Sequence, residues 1–493
     1  MDTRTEAFLQ GQHQHFIAGQ WYAEPAQGSF VVENPATEQS LAQVARGGKT
    51  EVDLAVAAAR QALEGGWRET PPARRAAILQ RFADKVLQNA DLLADVETLE
   101  SGTPRTWSGA TMSNLYPSIL SYYAGWPTKL GGDTLPARPF GREDQRFLVY
   151  TEKEPIGVVG AITPWNSPTG ILLMKIAPAL AAGCTIVVKS PELAPLTTAL
   201  LVALAAEAGL PPGVLNLVHG FGVDAGAALA VHPEVDKISF TGSTATGRQI
   251  LEAAKSNLKK VSLELGGKSP FVVLPDADLD LAVPAAAVAC FSMSGQNCMA
   301  ATRIFVHVDV MAGFLARLDD VLAGLKVGNG FEPGVTIGPL ISARQKQRVL
   351  DFISAGRADG ARLYCGGGAL KGPGHWVQPT VFVDCHKDMR IVREEIFGPV
   401  MSILAFDDDR QSLYSALNAT TYALSGSVWS RDLPDALEVA RRIDAGQVAI
   451  NAHAAISPET PFGGNRQSGW GRELGREGLE EYLKTKAMSI RLS

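Results

Sequence analysis

The sequence predicts an α/β protein built around a doubly wound parallel sheet. Between residues 156 and 267, five apolar stretches typical of strands alternate with four stretches typical of helices. Parallel strands need crossover connections, so this alternation favours a parallel sheet with helices on its faces. Gly183 and Gly209 follow the first two predicted helices, where a helix end often requires a residue that tolerates positive φ.

The predicted elements of this region follow one another in strict alternation. The strands are Ile156–Ile162, Thr185–Lys189, Val214–Val218, Lys237–Phe240 and Lys260–Leu265. The helices are Ile171–Ala182, Leu196–Ala208, Asp224–Ala230 and Thr244–Ser256. Ligands of such sheets bind beyond the carboxyl ends of the strands, so the region is predicted to bind a dinucleotide.

Length and composition exclude several classes of protein. A chain of 493 residues is expected to form two or three hydrophobic cores. Its net charge of -6 argues against a nucleic acid partner. No secretory signal or membrane span is predicted, because the most apolar region is interrupted by Lys175 and Pro178. Five cysteines without paired spacing predict reduced thiols in the cytoplasm, and the histidines form no metal-binding motif.

Three residues are candidates for chemistry, each with an ordinary structural alternative. Cys298 follows a small polar segment that permits an accessible thiol of lowered pKa, although a buried structural cysteine is the common case. Glu264 ends a predicted strand and is either a general base or half of an ion pair. Asn166 lies between prolines and either donates to an oxyanion or stabilises a turn.

Taken together, the motifs resemble those of the aldehyde dehydrogenase superfamily, in family order and over nearly the whole chain. They are ITPWNSP (162–168), KSPE (189–192), FTGSTATG (240–247), ELGGKSP (264–270), GQNC (295–298), EEIFGPV (394–400), PFGG (461–464) and SGWGRELG (468–475). The resemblance implies that Cys298 is the nucleophile, that Glu264 activates the hydrolytic water and that Asn166 stabilises an oxyanion. It also implies that Lys175 and Glu473 relay the proton away from Glu264.

The resemblance implies NAD as the cofactor and leaves NADP open. The residues matching cofactor contacts are Ile162, Thr163, Pro164, Trp165, Lys189, Ser190, Glu192, Gly222, Phe240, Gly242, Ser243, Leu265, Gly266, Glu395 and Phe397. The carboxylate of Glu192 favours NAD, because it would face the 2′-phosphate of NADP.

Seven residues match the family's substrate pocket. They are Ser167, Ile171, Met174, Ser292, Asn297, Ile456 and Phe462. Few of these side chains are aromatic, and none is an arginine that could pair with a substrate carboxylate. The sequence therefore predicts a small-molecule aldehyde substrate that is uncharged and bulky, either aromatic or of medium chain length.

Three regions are expected from the resemblance. Residues 1–136 and 156–264 form the dinucleotide-binding domain, residues 265–483 the catalytic domain, and residues 137–155 and 484–493 the strands of a homodimer or homotetramer. Two alternatives are a dehydrogenase that passes the acyl group to coenzyme A and an inactive structural or binding relative. The presence of Glu264 disfavours the first, and the intact set of catalytic positions disfavours the second.

Overall fold

Two large sheets organise the computed structural model, which describes residues 1–22 and 27–492. Residues 23–26, within the predicted range 1–136, and Ser493, at the end of 484–493, lie outside the described residues. The first sheet has eight strands in the spatial order Gln20–Tyr22, His15–Ile17, Leu215–Val218, Thr185–Lys189, Val158–Ile162, Lys237–Thr241, Lys260–Glu264 and Gly469–Trp470.

Five consecutive strands of the first sheet, from Leu215–Val218 to Lys260–Glu264, are parallel. The chain starts in the middle at Val158–Ile162, moves outward to one side, and then returns to Lys237–Thr241 on the other side. This reversal is the topological switch point of a doubly wound sheet, where ligands bind. The predicted α/β fold class is therefore confirmed, with strand ends within two residues of those expected.

Helices cover both faces of this sheet. Those between its strands are Pro168–Ala182, Leu196–Glu207, Ala227–Val231 and Thr244–Ala254. Of the four helix predictions, that of Asp224–Ala230 agrees least with the structure. A π-helical turn at Gly222–Gly226 replaces the start of the predicted helix. Gly183 and Gly209 have φ of 93° and 90°, as their position after helices predicted. The preceding helices are Thr5–Leu9, Lys49–Ala62, Pro72–Gln88, Ala90–Ser101, Arg105–Ser113 and Leu115–Ala124.

A second sheet of seven strands carries the other large cores. Its order is Arg362–Cys365, Thr380–Val383, Val400–Phe406, Arg303–His307, Pro270–Val273, Ser425–Trp429 and Gln447–Ile450. All neighbours are parallel except the first pair. Its helices are Leu279–Phe291, Val308–Ala323, Ala343–Ala358, Arg390–Arg393, Arg410–Leu417 and Leu433–Arg442. Alternate side chains of the strands enter different apolar clusters, so each face has its own core.

A third sheet joins distant parts of the chain. Leu483–Arg491 pairs along its whole length with Phe147–Pro155, which also pairs with Thr134–Leu135. The helix Gly475–Glu480 precedes the last strand. Two small antiparallel pairs join Ser29–Asn34 to Gln39–Ala45 and Tyr422–Ala423 to Asn465–Arg466.

Among residues 1–22 and 27–492, no helix is long and apolar enough to cross a membrane. Within the same ranges, no group of three His, Cys, Asp or Glu side chains is placed to hold a metal ion.

Candidate active site

The loops after Val158–Ile162 and Lys237–Thr241 meet at the switch point of the first sheet. Ile162 ends the first of these strands, and Thr163 donates hydrogen bonds to the carbonyl oxygen of Lys189 through its backbone N–H and its hydroxyl, both at 3.4 Å. The predicted cofactor residues 162–165, 189–192 and 240–243 therefore lie at one edge of the sheet, although they are far apart in the sequence.

The loop that carries Cys298 has an unusual backbone. Met293, Ser294 and Gly295 have φ of 52°, 59° and 69°, all in the left-handed region. A Cβ atom on Gly295 would lie 2.2 Å from the carbonyl oxygen of Gly398, so the close approach of the two chains requires glycine. Such conformations cost energy and persist where surrounding contacts fix them, which is common at functional sites.

Cys298 lies where the two large sheets approach each other. A Cβ atom on Gly267 would be 2.1 Å from the carbonyl oxygen of Cys298, so the backbones are in direct contact. Burial raises the pKa of the thiol, and the carboxylates of Glu395 and Glu264 raise it further. The expected lowering of this pKa is thus wrong for the structure, chiefly because a buried site solvates the thiolate poorly.

Asn166 connects the first sheet to the Cys298 loop. Its side-chain amide donates a hydrogen bond of 3.0 Å to the carbonyl oxygen of Gln296. Asn297 accepts a hydrogen bond of 3.0 Å from the backbone N–H of Met299, which shapes the turn around Cys298. The arrangement leaves the second amide hydrogen of Asn166 for another acceptor.

Glu264 ends its strand with only 4% of the residue exposed. One carboxylate oxygen, Oε2, is buried without a hydrogen-bond partner in the structure. A Cβ atom on Gly463 would lie 2.6 Å from the other oxygen, which explains a glycine of φ 155° there. Burial raises the pKa of Glu264 well above its ordinary value, and the neighbouring Glu473 carboxylate adds to this effect. The Glu264 carboxyl group therefore has one oxygen, Oε2, that is free to accept a hydrogen bond.

Lys175 and Glu473 form an ion pair in the interior, next to Glu264. The Lys175 ammonium also donates a hydrogen bond of 3.1 Å to the hydroxyl of Ser239. Both charged side chains are almost fully buried, which is costly unless each has a partner. The two predicted relay residues are therefore together, although 298 positions separate them.

Trp165, Glu395 and Phe397 form one side of the candidate cofactor cleft. The rings of Trp165 and Phe397 meet edge to face at 5.3 Å between centroids. Glu395 accepts a hydrogen bond of 2.9 Å from the backbone N–H of Gly267, and burial raises its pKa to about 7. A Cβ atom on Gly266 would lie 2.5 Å from Glu395 Oε2, so glycine lets this carboxylate approach the backbone.

The opposite end of the cleft contains an ion pair between a buried lysine and a partly exposed carboxylate. The Lys189 ammonium lies 2.7 Å from Glu192 Oε2, and the Glu192 side chain is 37% exposed. Ser190 shares a hydrogen bond of 2.7 Å with Nδ1 of His219, a buried residue that the sequence analysis did not single out. The apolar strand before His219 did not indicate this contact, because the contact is made with Ser190, which follows a neighbouring strand.

Ser243 and Gly242 begin the helix at the centre of the cleft. The Ser243 hydroxyl accepts a hydrogen bond of 3.2 Å from the backbone N–H of Thr246. A Cβ atom on Gly242 would lie 2.5 Å from the ring of Phe240. The Leu265 side chain likewise occupies the space that a Cβ atom on Gly247 would need. Gly222 starts the π-helical turn Gly222–Gly226. A helix N-terminus with a carboxylate and an aromatic wall nearby fits a dinucleotide, whose diphosphate is anionic and whose riboses carry hydroxyls.

Three of the predicted pocket residues share an apolar cluster with Cys298. Met174 and Phe462 are buried in the core of the first sheet, and Ile456 packs against it. Ser167 shares a hydrogen bond of 3.2 Å with the hydroxyl of Tyr116, an aromatic residue that the sequence analysis did not anticipate. Ile171 lies in the helix Pro168–Ala182. Ser292 directly follows the helix Leu279–Phe291 and is its C-terminal cap.

Phe291 and His453 are close in sequence to the pocket residues Ser292 and Ile456 but have other contacts. Phe291 packs into a core of the second sheet. His453 lies between the Ser427 hydroxyl at 2.9 Å and the carbonyl oxygen of Met299 at 2.9 Å. Both side chains are therefore held by the second sheet and its loops.

A doubly wound sheet whose ligand-binding edge faces a cysteine, a buried carboxyl group and an amide is the arrangement expected of an α/β enzyme with a thiol nucleophile. The chain belongs to the aldehyde dehydrogenase family, whose model matches residues 21–488. It is thus an oxidoreductase that acts on aldehydes.

Characterised relatives and solved structures agree with this family. Human aldehyde dehydrogenase 1A1 is 44% identical over 483 residues, which are 97% of this chain and 95% of the human protein. A Bacillus cereus aldehyde dehydrogenase in complex with NAD+ is 40% identical, with a TM-score of 0.96 over 100% of this chain and 99% of that one. Staphylococcus aureus betaine aldehyde dehydrogenase in complex with NAD+ is 35% identical, with a TM-score of 0.95 over 99% and 97% of the two chains.

Proposed function

We propose that this enzyme oxidises uncharged, bulky aldehydes to carboxylic acids through a thioester on Cys298. The observation that carries the proposal is the convergence of three groups from separate parts of the chain. Asn166 is bonded to the Cys298 loop, and the Glu264 carboxylate is close enough to raise the pKa of the thiol. A nucleophile, a base and an oxyanion donor are the parts that acyl chemistry needs.

Acylation depends on Cys298 and Asn166. The Cys298 thiol first releases its proton to water, and the resulting thiolate adds to the aldehyde carbon, which places the negative charge on the former carbonyl oxygen. The second amide hydrogen of Asn166 and the backbone N–H of Cys298 stabilise this oxyanion. When bound, NAD supplies the hydride acceptor that converts the adduct to a thioester.

Hydrolysis depends on Glu264. Its carboxylate removes a proton from water while the oxygen adds to the thioester carbon, and breakage of the C–S bond then frees the Cys298 thiolate and the carboxylic acid. A base is most effective when its pKa is near the working pH. The burial that raises the pKa of Glu264 therefore suits this role.

The cofactor is NAD, as in the Bacillus cereus and Staphylococcus aureus relatives. Trp165, Phe397 and Glu395 would hold the nicotinamide end, and Lys189 with Glu192 the adenosine end. The partly exposed Glu192 carboxylate disfavours the 2′-phosphate of NADP by roughly 1–4 kcal/mol at about 4 Å. Lys189 offsets part of this repulsion, so slow turnover with NADP remains the alternative.

The substrate class is inferred from the pocket lining. Ser167 and Ile171 are small or aliphatic, and Met174 is flexible, so a small aldehyde would leave apolar surface unfilled. Unfilled surface forfeits ~25 cal/mol for each Å² that is not buried. The predicted lining has no arginine for a substrate carboxylate and no set of aromatic rings for a trimethylammonium group. Aromatic and medium-chain aldehydes are therefore preferred to succinic semialdehyde and betaine aldehyde.

Steady-state turnover of a panel of aldehydes with NAD and NADP tests the proposal. We expect kcat/KM for benzaldehyde or octanal to exceed that for acetaldehyde, and the Cys298→Ala variant to bind NAD without turnover. Acetaldehyde turnover equal to or above that of both larger aldehydes would contradict the substrate class. Acyl transfer to coenzyme A in place of water would favour a coenzyme A-acylating dehydrogenase. Absence of NADH formation would favour an inactive structural or binding relative.

The third sheet supports a proposal about assembly. The strand Leu483–Arg491 pairs with Phe147–Pro155 on one side, and Leu148, Ile490 and Leu492 are exposed. Exposed strand edges with apolar side chains are usually covered by another chain. We expect a homodimer or homotetramer by light scattering, with residues 137–155 and 484–493 at the interface. The cytoplasmic location and the division into residues 1–136 with 156–264 and 265–483 stay predictions.

A further inference from the structure

Cys298 lies in a tight turn of the backbone. The backbone N–H of Ala300 donates to the carbonyl oxygen of Asn297 at 3.0 Å, which makes Cys298 and Met299 the two central residues of a β-turn. The Asn297 side chain also accepts from the backbone N–H of Met299 at 3.0 Å. The direction of the Cys298 N–H, the second donor to the proposed oxyanion, therefore depends on the geometry of this turn.

The imidazole of His453 holds the far end of the turn. Its Nε2 lies 2.9 Å from the carbonyl oxygen of Met299, and its Nδ1 lies 2.9 Å from the Ser427 hydroxyl. A carbonyl oxygen can only accept, so Nε2 carries the proton of the first hydrogen bond. Burial lowers the pKa of His453, although the bond to Met299 opposes this effect. In the neutral ring Nδ1 accepts from Ser427, which thus selects the tautomer that donates to Met299.

The peptide group between Met299 and Ala300 is therefore fixed at both ends. Its N–H closes the turn to Asn297, and its C=O accepts from His453. A peptide group is planar, so a hydrogen bond at each end fixes the orientation of the whole plane. Without the bond from His453 this plane can rotate, and the turn around Cys298 changes shape with it.

The loop that carries His453 has a strained backbone on both sides of this residue. Asn451 and Ala454 have φ of 52° and 49°, in the left-handed region that alanine rarely adopts. The Asn451 side chain exchanges two hydrogen bonds with the backbone of Ser430, and the His453 ring packs beside Phe271 at 6.0 Å between centroids. Such strain persists where surrounding contacts fix it, which is common at functional sites. These contacts direct the imidazole toward the nucleophile.

We propose that His453 is a positioning residue for the nucleophile, holding the Cys298 turn from the second sheet while Asn166 holds it from the first. The Asn166 amide donates to the carbonyl oxygen of Gln296, before Cys298, and His453 donates to that of Met299, after it. The inference rests on the proposed role of Cys298. His453 acts through the backbone of the turn and needs no contact with substrate or cofactor.

Stopped-flow measurement of the first NADH turnover in the His453→Phe variant tests this role. Phenylalanine keeps a ring at this position but cannot donate to Met299. We expect the limiting rate of acylation at saturating aldehyde to fall by about tenfold, the effect of losing one hydrogen bond of ordinary strength. The aldehyde concentration at half-maximal rate and the Kd for NAD should keep their wild-type values, because the proposed role involves neither ligand.

Two amide variants at the same position separate the hydrogen bond from the shape of the ring. The Nε2 of glutamine lies about as far from the backbone as the Nε2 of histidine, whereas the Nδ2 of asparagine corresponds to Nδ1. His453→Gln should therefore retain most of the wild-type acylation rate, and His453→Asn should be as slow as His453→Phe. A general defect in packing would not follow this order. If His453→Phe does not fold, the two amide variants alone test the inference.

Aldehydes of different size distinguish positioning from a role of His453 as a wall of the pocket, whose predicted residue Ile456 follows in the same loop. A wall residue acts by contact, so its replacement changes the half-saturating concentration by an amount that depends on the aldehyde. A positioning residue acts on the nucleophile itself. The fold loss in limiting rate should therefore be equal for acetaldehyde, benzaldehyde and octanal.

His307 provides a matched control. It is also a buried histidine of the second sheet, at the end of the strand Arg303–His307. Its ring nitrogens bond to the backbone N–H of Asp309 and the carboxylate of Asp408, outside the Cys298 turn. His307→Phe should acylate at the wild-type rate, even where its melting temperature falls.

The outcomes distinguish this inference from the proposed function. If Cys298→Ala gives no turnover while His453→Phe acylates at the wild-type rate, the inference fails alone. A His453→Gln variant as slow as His453→Phe, or a loss confined to the larger aldehydes, would also overturn it. Wild-type enzyme that forms no acyl-enzyme would instead contradict the proposed function, on which the inference rests.

Discussion

The side-chain amide of Asn166 donates a hydrogen bond of 3.0 Å to the backbone carbonyl of Gln296, two residues before Cys298. This bond joins the switch point of the first sheet to the loop of the candidate nucleophile. The same amide group therefore has two tasks in the proposed reaction, since one hydrogen fixes the loop and the other is available to the oxyanion.

Asn166→Ala should lower kcat/KM by about 10²–10³, or ~3–4 kcal/mol, because one oxyanion donor is lost. Stopped-flow measurement of NADH formation should place the loss in acylation. The affinity for NAD, measured by fluorescence, serves as the control and should change little. A variant with wild-type acylation would show that Asn166 is only a loop anchor.

Glu264→Gln should give one rapid turnover of NADH per active site followed by a slow phase, with acyl-enzyme visible by intact mass. In the wild type, burial raises the pKa of Glu264, and only the ionised form is a base. The hydrolysis rate should therefore rise with pH through that pKa and then level off. Loss of this pH dependence in the Gln variant would support the assignment, whereas an unchanged hydrolysis rate would refute it.

Glu192→Ser should shift the ratio of kcat/KM values toward NADP, because it removes the carboxylate that faces the 2′-phosphate. Removal of the repulsion is expected to change the ratio of kcat/KM values for NADP and NAD by about tenfold. This change lies near the lower end of the roughly 1–4 kcal/mol expected for the repulsion. Lys189 then becomes free to contact the phosphate. A ratio that stays at the wild-type value would mean that the adenosine end binds elsewhere.

Binding of NAD should weaken as pH falls through about 7, the pKa to which burial raises Glu395. An ionised carboxylate attracts the cationic nicotinamide and accepts from ribose hydroxyls, while the protonated form loses the charge. Binding is therefore strongest above pH 7 and weakens below it. The Kd measured at pH 6 should exceed that at pH 8 by about tenfold. In Glu395→Gln the Kd should be nearly independent of pH over this range.

Features that depend on local sequence were predicted well. The strands Thr185–Lys189 and Lys237–Thr241 follow from apolar runs bounded by turn residues, and Gly183 follows from the need for positive φ after a helix. The motif residues Asn166, Glu264 and Cys298 became candidates because their neighbours are distinctive in sequence.

Features that depend on distant partners were not predicted. The Tyr116–Ser167 and Ser190–His219 hydrogen bonds join residues from different elements, and nothing in the local sequence of Tyr116 or His219 distinguishes them from core residues. The strand Gly469–Trp470 joins the first sheet although it falls within the range predicted for the catalytic domain, because its partner is Lys260–Glu264. The raised pKa of the Cys298 thiol likewise arises from carboxylates that only the fold brings near.

The contact between Gly267 and the carbonyl of Cys298 limits how this enzyme can be re-engineered. At 2.1 Å from that oxygen, even a methyl group on residue 267 would push the nucleophile loop away from the first sheet. Random mutagenesis of the whole gene should therefore recover no active clone altered at this codon, while codons for Ser167 or Ile171 accept many replacements. A library designed for new aldehydes can vary the pocket walls freely and should leave codon 267 unchanged.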